Sequence, residues 1–520
     1  MDYSKSMFWA DQLARSVSGK QIVHDAKTPS GRVHVGALRG VVIHDVIYKT
    51  LKDHSIKAEF YYGDDDYDPM DSLPSYLDEA KWKQYMGMPL SEIPSPDGSG
   101  SYADYFMNEF ITAYEKLDAK PKIYKTSELY KTGKFNDAIK AILSNAEKIR
   151  GIYKKVSGSE KKEGWLPFNV VCEKCGKIGT THVYEFNGET VKYKCEPEMV
   201  KWAKGCGHSG ETSPYNGNGK LPWKVEWPSV WSIMGVTIEG AGKDHSTPGG
   251  ARDIADAVLK EVFQLNPPLE VPYEWFLVGG KKMSSSKGVG VSAKEVSELI
   301  PPELLRFLMA RYKPQTAINF SPDGDYIPKL FDDFDSFAKA FYHPENLRDP
   351  DMPRIYELSR IKETSEAYLP QFSLVAFVLQ VPSVNEEEFF EQQKGSALTQ
   401  EEKEILKERI HYAKIWLDKF ADEDSKLKQL SLEESKKEFD SLSEAQQNAL
   451  REFSNQLGLS DFDQQGKAKE ISLSNGLKIQ EFFAASYKVL IGKERGPKLM
   501  PLMRALGKEF VSKRFNPSNF

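Results

Sequence analysis

Two short apolar runs near the start of the chain flank a segment with helical periodicity. QIVHDA (21–26) and KAEFYYG (57–63) have the length of strands, and the residues between them carry apolar side chains at helical spacing. Those apolar positions are Leu38, Val42, Val46 and Leu51. A strand, a helix and a second strand at this spacing predict a right-handed parallel unit of an α/β sheet. Active sites of such sheets lie at the carboxyl ends of the strands, where the turn TPSG (28–31) and the acidic run DDDYDP (64–69) fall.

The sequence pattern changes from mixed strands and helices to helices about two thirds of the way along the chain. EWFLVGG (274–280) reads as another strand, and it leads into the loop KKMSSSKG (281–288). Ser292 followed by Glu295 predicts a capping box at the start of the next helix. From about residue 340 onward the pattern is helical, with almost no strand-like runs. This shift is the main predicted domain boundary.

Composition narrows the class of protein. The chain has 520 residues, of which 40% are hydrophobic, 12% aromatic and 28% charged, as in an ordinary core-forming protein of about three to five domains. A net charge of −6 excludes a wholly basic nucleic-acid coat but not a local basic face. No signal-peptide core and no membrane span stand out, and cysteine is scarce, so we expect a cytoplasmic protein without a membrane partner.

The cysteines form a candidate metal site. Cys172 and Cys175 make a knuckle-like pair, followed by Cys195, Cys206 and His208. Four ligands of this kind suit a structural, tetrahedral zinc ion. The spacing leaves open whether Cys206 or His208 is the fourth ligand.

Two further segments have the chemistry of a phosphate site. The turn Thr28-Pro29-Ser30-Gly31 runs on to His34 and Gly36 where a strand meets a helix, and a helix N-terminus offers unpaired N–H groups to an anion. The later loop places lysines beside hydroxyl groups, which suits a triphosphate. Its residues are Lys282, Met283, Ser284, Ser285, Ser286 and Lys287. Each segment alone is also compatible with a plain turn or a solvated loop.

Together the two segments resemble the paired signature motifs of class I aminoacyl-tRNA synthetases, and the form Met-Ser-Ser-Ser-Lys-Gly is similar to the lysyl family in particular. Further similar segments are KLPWKVEWPSVW (220–231), GAGKDHSTPGGARD (240–253), PPELLRFLMARYKP (301–314) and GKERGPKLMPLMRALGKEF (492–510). Two positions depart from the superfamily pattern: Ala37 replaces a polar residue of the first motif, and Ser285 replaces a lysine of the second.

The resemblance implies an activity and its reactants. L-lysine would be activated by ATP with magnesium to lysyl-adenylate and then transferred to the 3′ end of tRNA(Lys). ATP would be bound by the two motifs, with His34, Lys282 and Lys287 as the catalytic residues. A charging enzyme for glutamate or glutamine, and a non-catalytic RNA-binding relative, are the alternatives.

The same resemblance implies a site for the amino acid. Asp65 or Asp66 of the acidic run would hold an ammonium group of lysine, and tryptophans would line its methylenes with a cation–π face. The expected lysine-binding residues are Ala26, Thr28, Asp65, Asp66, Trp223, Trp227, Asp244 and His245, with Trp231 a further candidate for the aromatic wall.

The predicted fold is α/β: a Rossmann-type parallel-sheet catalytic domain, a zinc-ribbon-bearing insertion and an all-α C-terminal domain, which the resemblance implies to be the anticodon-binding domain. The expected boundaries are 1–70 with 213–300 for the catalytic domain, 71–212 for the insertion with its ribbon at 165–212, 301–345 for a linking segment and 346–520 for the helical domain. Residues 481–520 hold eight Lys or Arg and three Glu, a local net charge of +5 that suits tRNA. The oligomeric state is open, with a monomer favoured.

Overall fold

A computed structural model of the protein describes residues 6–281, 291–347, 349–381, 384–423, 425–427 and 430–517. The strands are β1 (Gln21–Lys27), β2 (Ala58–Asp64), β3 (Lys122–Lys125), β4 (Asn169–Val170), β5 (Thr181–Phe186), β6 (Val191–Cys195), β7 (Ser209–Thr212), β8 (Gly219–Lys220), β9 (Ile238–Gly242), β10 (Leu269–Tyr273), β11 (Phe276–Val278) and β12 (Ile318–Phe320).

The helices follow in chain order, and the first twelve are α1 (Trp9–Ser16), α2 (Gly36–Asp53), α3 (Glu79–Trp82), α4 (Tyr102–Lys116), α5 (Thr126–Lys131), α6 (Asn136–Ser144), α7 (Ala146–Ser157), α8 (Trp223–Met234), α9 (Ala251–Glu261), α10 (Ala293–Ser297), α11 (Pro302–Ala310) and α12 (Tyr326–Tyr342). The others are α13 (Met352–Ser359), α14 (Phe372–Val378), α15 (Glu386–Lys394), α16 (Gln400–Lys419), α17 (Leu432–Asp440), α18 (Glu444–Ser454), α19 (Asp461–Ser474), α20 (Ile479–Ile491), α21 (Leu499–Leu506) and α22 (Lys508–Phe515). Short 3₁₀ helices occupy Lys83–Tyr85, Leu90–Glu92 and Pro344–Asn346.

The chain divides into two compact units. The first comprises Met1–Ser321 together with His343–Lys362, and the second comprises Pro322–Tyr342 together with Glu363–Phe520. The first unit is a mixed α/β unit that contains every sheet of the described residues. The described part of the second unit is helical, as the sequence pattern predicted.

A five-stranded parallel sheet forms the centre of the first unit. Its strand order is β10-β9-β1-β2-β3, so the chain starts in the middle, builds outward to β3 and later returns to the other side of β1. The order therefore reverses between β1 and β9, and a ligand crevice is expected outside the carboxyl ends of those two strands.

Both faces of the sheet are covered by helices, which explains why its strands carry apolar residues on both sides. Val23 of β1 packs with Ile43 and Ile47 of α2 on one face. The next residue back, Ile22, packs with Trp231 of α8 and Leu259 of α9 on the other face. This alternation is the period of two expected of a strand.

The sheet differs from the sequence prediction at two edges. The predicted strand at 274–280 exists as β11, but it pairs with β12 in a separate two-stranded sheet. The edge position next to β9 belongs instead to β10. Pro272 of β10 weakens the strand signal in the sequence. Proline is tolerated there because one side of an edge strand has no neighbouring strand to hydrogen-bond with. At the other edge, β3 lies within 71–212, so part of the segment assigned to the insertion belongs to the central sheet.

Small antiparallel sheets form in the segment 71–212, one of them with β8, which lies just beyond its end. β5, β6 and β7 form a three-stranded sheet, and β4 pairs with β8.

The capping box predicted at the start of α10 is confirmed, because the Ser292 hydroxyl accepts from Glu295 N–H and the Glu295 carboxylate accepts from Ser292 N–H. No helix of the described residues combines the length and the apolar character needed to cross a lipid bilayer.

Arg306 of α11 is fully buried and connects separate parts of the first unit. Its Nη2 lies 2.5 Å from Asp45 Oδ2 of α2, which makes a buried ion pair. Its Nε donates to the Leu358 carbonyl at the end of α13, and its Nη1 donates to the Leu117 carbonyl after α4. A single guanidinium thus satisfies groups from α2, α4 and α13.

We expect Arg306→Met to lower the free energy of unfolding of the first unit by about 3–5 kcal/mol, because it leaves buried acceptors without their donor. Urea denaturation followed by tryptophan fluorescence measures the change. Arg306→Lys should lose less, since it keeps the charge beside Asp45 but not all the carbonyl bonds. Equal stability of Arg306→Met and the unsubstituted protein would contradict the role assigned to this side chain.

Candidate functional site

A pocket of about 480 Å³ opens at the carboxyl ends of β1, β2 and β9. It is lined from β1 by residues 24–27, from β9 by residues 239–242 and from the end of β2 by Asp65. This is the crevice expected where the strand order reverses. The first turn of α2 forms another part of its lining, through Gly36 and Ala37.

The turn before α2 is held in place from two directions. Val35 N–H donates to the Val291 carbonyl, and Ala293 N–H donates to the Val33 carbonyl, so the segment after the Lys/Ser-rich loop is paired with the first motif. From the other side, the Tyr102 hydroxyl donates to the Ser30 carbonyl. The residues that follow the second motif are thus paired with the first motif, and Lys282–Lys287 of the second motif lie outside the described residues.

Most of the site residues predicted from the sequence that fall within the described residues lie together around the pocket. Those that line the pocket are Ala26, Thr28, His34, Gly36, Asp65, Trp223, Trp227, Asp244 and His245. Pro29, Ser30 and Gly31 belong to the turn but are not part of the lining. The residues of the second motif that lie outside the described part are Lys282, Met283, Ser284, Ser285, Ser286 and Lys287.

The two candidate aspartates are separated by the fold. Asp65 lines the pocket, and its Oδ1 accepts from the Thr126 hydroxyl at 2.9 Å. Asp66 is not part of the lining, since its carboxylate accepts from the N–H and the hydroxyl of Ser127 in the first turn of α5. Asp66 therefore caps a helix, and only Asp65 faces the pocket.

The pocket has an excess of negative charge. Among its described lining residues, seven carry a carboxyl group and a single one is a lysine. Burial raises the pKa of the Asp65 carboxyl, and the neighbouring charges of Asp68 and Glu226 raise it further, to about 7. A carboxyl group that resists ionisation in this way is stabilised as the carboxylate when a cation binds beside it.

An internal lysine neutralises part of this charge. Lys220 is 3% exposed and its Nζ makes ion pairs with Asp68 Oδ1 and, at 2.8 Å, with Glu226 Oε2. The second oxygen of Asp68 accepts from the Thr28 hydroxyl at 2.7 Å, which joins this cluster to the turn. One ammonium between two carboxylates leaves a net negative charge.

A buried carboxylate organises the aromatic side of the pocket. Glu239 accepts from His24 Nδ1 at 2.8 Å and from the indole N–H groups of Trp227 and Trp231. Burial lowers the pKa of His24, but the Glu239 carboxylate raises it more, so the pKa lies above its ordinary value. Burial raises the pKa of Glu239, but His24 and the indole of Trp227 lower it more. Both shifts favour the charged forms, an imidazolium beside a carboxylate.

The indoles form a continuous aromatic wall. The ring centroids of Trp223 and Trp227 lie 6.2 Å apart, and those of Trp227 and Trp231 lie 5.1 Å apart. His245 meets Trp223 edge-on at 5.5 Å. Trp231 is 2% exposed and is not part of the lining, whereas Trp223 is 43% exposed at the open side. Trp223 and Trp227 are thus placed to contact the apolar part of a ligand.

Several lining residues were not predicted from the sequence. They include His24, Asp25, Lys27, Tyr62, Asp68, Tyr124, Glu226, Glu239, Tyr273 and Glu274. One signal was present, since His24 and Asp25 are polar residues inside the apolar run of β1, and Glu226 stands between tryptophans in WKVEW. Polar side chains inside a buried element need partners and mark candidate functional positions.

The four cysteines come together in the segment that carries β5, β6 and β7. Their Sγ atoms all lie within 4.8 Å of one another, with 3.6 Å between Cys172 and Cys206 and 3.7 Å between Cys175 and Cys195. These distances are far longer than a disulfide bond and close to the edge of a tetrahedron of thiolates around a metal, about 3.8 Å for metal–sulfur bonds of about 2.3 Å. His208 is not part of this group: its Nε2 lies 3.8 Å from Glu173, so the geometry favours Cys206 as the fourth donor.

Comparison with known proteins places the chain in a family. Residues 7–362 match the family model described as tRNA synthetases class I (K). The match ends at the last residue of the first compact unit, and it includes the pocket and the cysteine cluster.

Named relatives match over almost the whole chain. A lysine–tRNA ligase of Thermoplasma volcanium is 34% identical over 98% of this chain and 98% of its own length. A lysine–tRNA ligase of Methanocaldococcus jannaschii is 35% identical over 98% of this chain and 99% of its own length. A third, from Picrophilus torridus, is 33% identical over 98% and 99% of the two chains. With a family model matched over more than half of the sequence and relatives this similar along nearly all of it, the chain belongs to the class I (K) family of tRNA synthetases.

Proposed function

We propose that the protein is a lysine–tRNA ligase, which activates L-lysine with ATP and transfers it to the 3′ end of tRNA(Lys). The observation that carries the proposal is the acidic pocket with an aromatic wall at the carboxyl ends of β1, β2 and β9, directly beside the N-terminus of α2. One side of the pocket suits a cationic amino acid and the other suits a phosphate. The relatives named above support the same activity.

Recognition of lysine follows from charge and shape. Asp65 provides a carboxylate for one of the two ammonium groups of lysine, and Trp223 with Trp227 contacts the methylenes and offers a cation–π face. Thr28, Asp244 and His245 are further polar residues of the lining, and Ala26 lies in it as a small side chain. A glutamate side chain would place a further negative charge among these carboxylates, so the pocket favours lysine over the glutamate and glutamine alternatives.

The phosphates of ATP fit the other side. α2 begins at Gly36 without a side-chain cap, and the N–H groups of Ala37 and Leu38 donate to the carbonyls of His34 and Val35. What this end of the helix offers to an anion is the positive end of its dipole. His34 lines the same region and is the proposed hydrogen-bond donor to a phosphate oxygen. Lys282 and Lys287 of the second motif are proposed to add positive charge, and magnesium bound with ATP supplies further charge neutralisation.

The chemistry requires little covalent participation by the protein. A carboxylate oxygen of lysine forms a bond to the α-phosphorus, the bond from that phosphorus to the oxygen bridging to the β-phosphate breaks, and pyrophosphate leaves with the electron pair. The side chains align the two reactants and stabilise the charge that builds up on the α-phosphate. A hydroxyl of the terminal ribose of tRNA then takes the lysyl group.

The boundary expected at residue 346 differs from that of the compact units, because 343–362 belongs to the first unit and 322–342 to the second. The first unit holds the pocket, and the helical region from about residue 346, with its basic end at 481–520, is proposed to bind the anticodon part of tRNA(Lys). Positive charge of this kind binds the phosphate backbone and makes tRNA affinity fall as salt is raised.

ATP–pyrophosphate exchange tested with each of the twenty amino acids should show activity with lysine alone. The acidic pocket gives the physical reason, since it stabilises a side-chain ammonium and repels a side-chain carboxylate. His34→Ala, which removes a phosphate donor, should reduce the exchange rate by about 10²-fold. Exchange with glutamate or glutamine in place of lysine would show that one of these is the substrate. No exchange with any amino acid, even when tRNA is present, would refute the proposal.

Lysine binding should depend on pH through Asp65. With its pKa raised to about 7, the carboxyl is protonated in the free protein below that pH and must lose its proton to pair with an ammonium. Affinity should therefore fall as the pH drops below 7, by at most about tenfold for each pH unit. Calorimetric titration with lysine between pH 6 and 8, in buffers of different ionisation heat, measures both the affinity and the proton released.

Asp65→Asn is the control for this experiment. It should bind lysine more weakly than the unsubstituted protein at pH 8 and release no proton from this position. A variant that keeps the full pH dependence would show that another group titrates.

We also propose that the four cysteines hold one structural zinc ion. Thiolates gathered in a near-tetrahedral group suit zinc, and the ion would connect the start of the segment at Cys172 with β6 and with the turn at Cys206. The proposed role is to stabilise this part of the chain, apart from the pocket.

Elemental analysis of the purified protein should find about one zinc per chain. Cys175→Ser should lose the metal and lower the thermal unfolding temperature, because metal binding contributes to folding. His208→Ala is the matched variant and should retain zinc, since its ring is not part of the thiol group. Loss of zinc from His208→Ala with retention in Cys206→Ser would reverse the ligand assignment.

A further inference from the structure

Lys27, the last residue of β1, lies in the pocket but has no part in the function proposed so far. Side chains alternate along a strand, so Lys27 shares a face with Val23 and Asp25. That face is covered by α2: Val23 packs with Ile43 and Ile47, and Asp25 Oδ2 lies 3.5 Å from His44 Nδ1. Lys27 therefore points to the α2 side of the sheet, away from the face of His24.

The same register brings Lys27 to the first turn of α2. A Cβ at Gly40 would lie 3.0 Å from Asp25 Oδ2, so Gly40 is level with Asp25. Two residues further along β1 correspond to about 6.6 Å, and one turn back along α2 corresponds to about 6 Å. Lys27 is thus level with Gly36, where the helix N-terminus lines the pocket.

The ammonium of Lys27 has no close polar partner among the described residues. Within the described part of the chain it makes no hydrogen bond and no ion pair, although Asp25 and Asp65 act on it over a longer distance. Burial lowers the pKa of this lysine, with the two carboxylates opposing the effect. Another internal lysine of the unit, Lys220, is paired with Asp68 and Glu226.

A lone cation in this place works against the binding of a cationic amino acid, so its ligand must be an anion. Two anionic groups meet at this level of the pocket in the proposed reaction: the carboxylate of lysine and the α-phosphate of ATP. The positive end of the α2 dipole lies at the same level, since Gly36 and Ala37 line the pocket.

We propose that Lys27 is a catalytic residue whose ammonium binds the oxygens of the α-phosphate and stabilises their charge as the lysine carboxylate attacks. The inference rests on the proposed function. Lys27 keeps its proton throughout, while the new oxygen–phosphorus bond forms and pyrophosphate departs with the electron pair of the broken bond. Its contribution is greatest in the transition state, where the non-bridging oxygens carry the most charge.

Lys27→Met should reduce kcat of lysine-dependent pyrophosphate exchange by about 10²-fold. The KM for lysine should be unchanged or lower, because removing a positive charge from the acidic pocket does not weaken the binding of a cation. A side chain with a structural role alone would not separate kcat from KM in this direction. Lys27→Arg, which keeps the charge, should recover most of the rate.

Lys57→Met is the matched control, since Lys57 is exposed immediately before β2 and the chemical change is identical. It should exchange at the rate of the unsubstituted protein. Lys27→Gln, with a neutral polar side chain of similar length, provides the same comparison should Lys27→Met fail to fold.

The inference is overturned if Lys27→Met and Lys27→Gln exchange as fast as Lys57→Met, or if they raise the KM for lysine and leave kcat unchanged. The unsubstituted protein is assayed first, so that failure of the proposed function is seen separately. If it exchanges with no amino acid, both proposals fall, whereas exchange that is insensitive to Lys27 removes this inference and leaves the proposed function standing.

Discussion

The buried carboxylate of Glu239 is the group on which the arrangement of the pocket depends. It lies 3% exposed in β9 beside His24 of β1, at the one place in the central sheet where the strand order reverses. An isolated carboxylate there would cost several kcal/mol in lost hydration, so its ionisation requires donors from every side. The ring of His24, whose raised pKa favours the imidazolium, and the indoles of Trp227 and Trp231 provide them. The two strands and the aromatic wall are thereby held in one geometry.

Small residues allow other side chains to reach this centre. A Cβ at Gly63 would lie 2.5 Å from the Tyr124 hydroxyl, which in turn is 2.8 Å from His24 Nε2. A Cβ at Gly240 would lie 3.0 Å from the His44 ring, whose Nε2 accepts from Gly240 N–H. The close approach of these side chains to the sheet therefore needs glycine in β2 and β9. Tyr124 bonds the second ring nitrogen of His24, and His44 bonds the backbone of β9 next to Glu239.

Some charged side chains of the pocket form ion pairs within the protein, and others face the cavity, where a ligand can contact them. His24 with Glu239, and Lys220 with Asp68 and Glu226, are compensated inside the protein. Asp65 and Lys27 are the groups with opposite charge that face the cavity from neighbouring strand ends. A ligand with an ammonium at one place and an anionic centre at another matches this division, and an amino acid meeting a nucleotide phosphate has that pattern.

Local features of this protein were determined by the sequence alone. The apolar runs predicted β1 and β2, the Ser292–Glu295 spacing predicted a capping box, and the cysteine spacing predicted a cluster, because each depends on residues close together in the chain. Only the tertiary structure decided that β3 and β10 are the sheet edges, that Asp65 rather than Asp66 faces the pocket, and that Glu239 and Lys27 line it. The reason is that His24 and Glu239 are separated by 215 positions, and their contact is set by the order of strands in a sheet rather than by any local pattern.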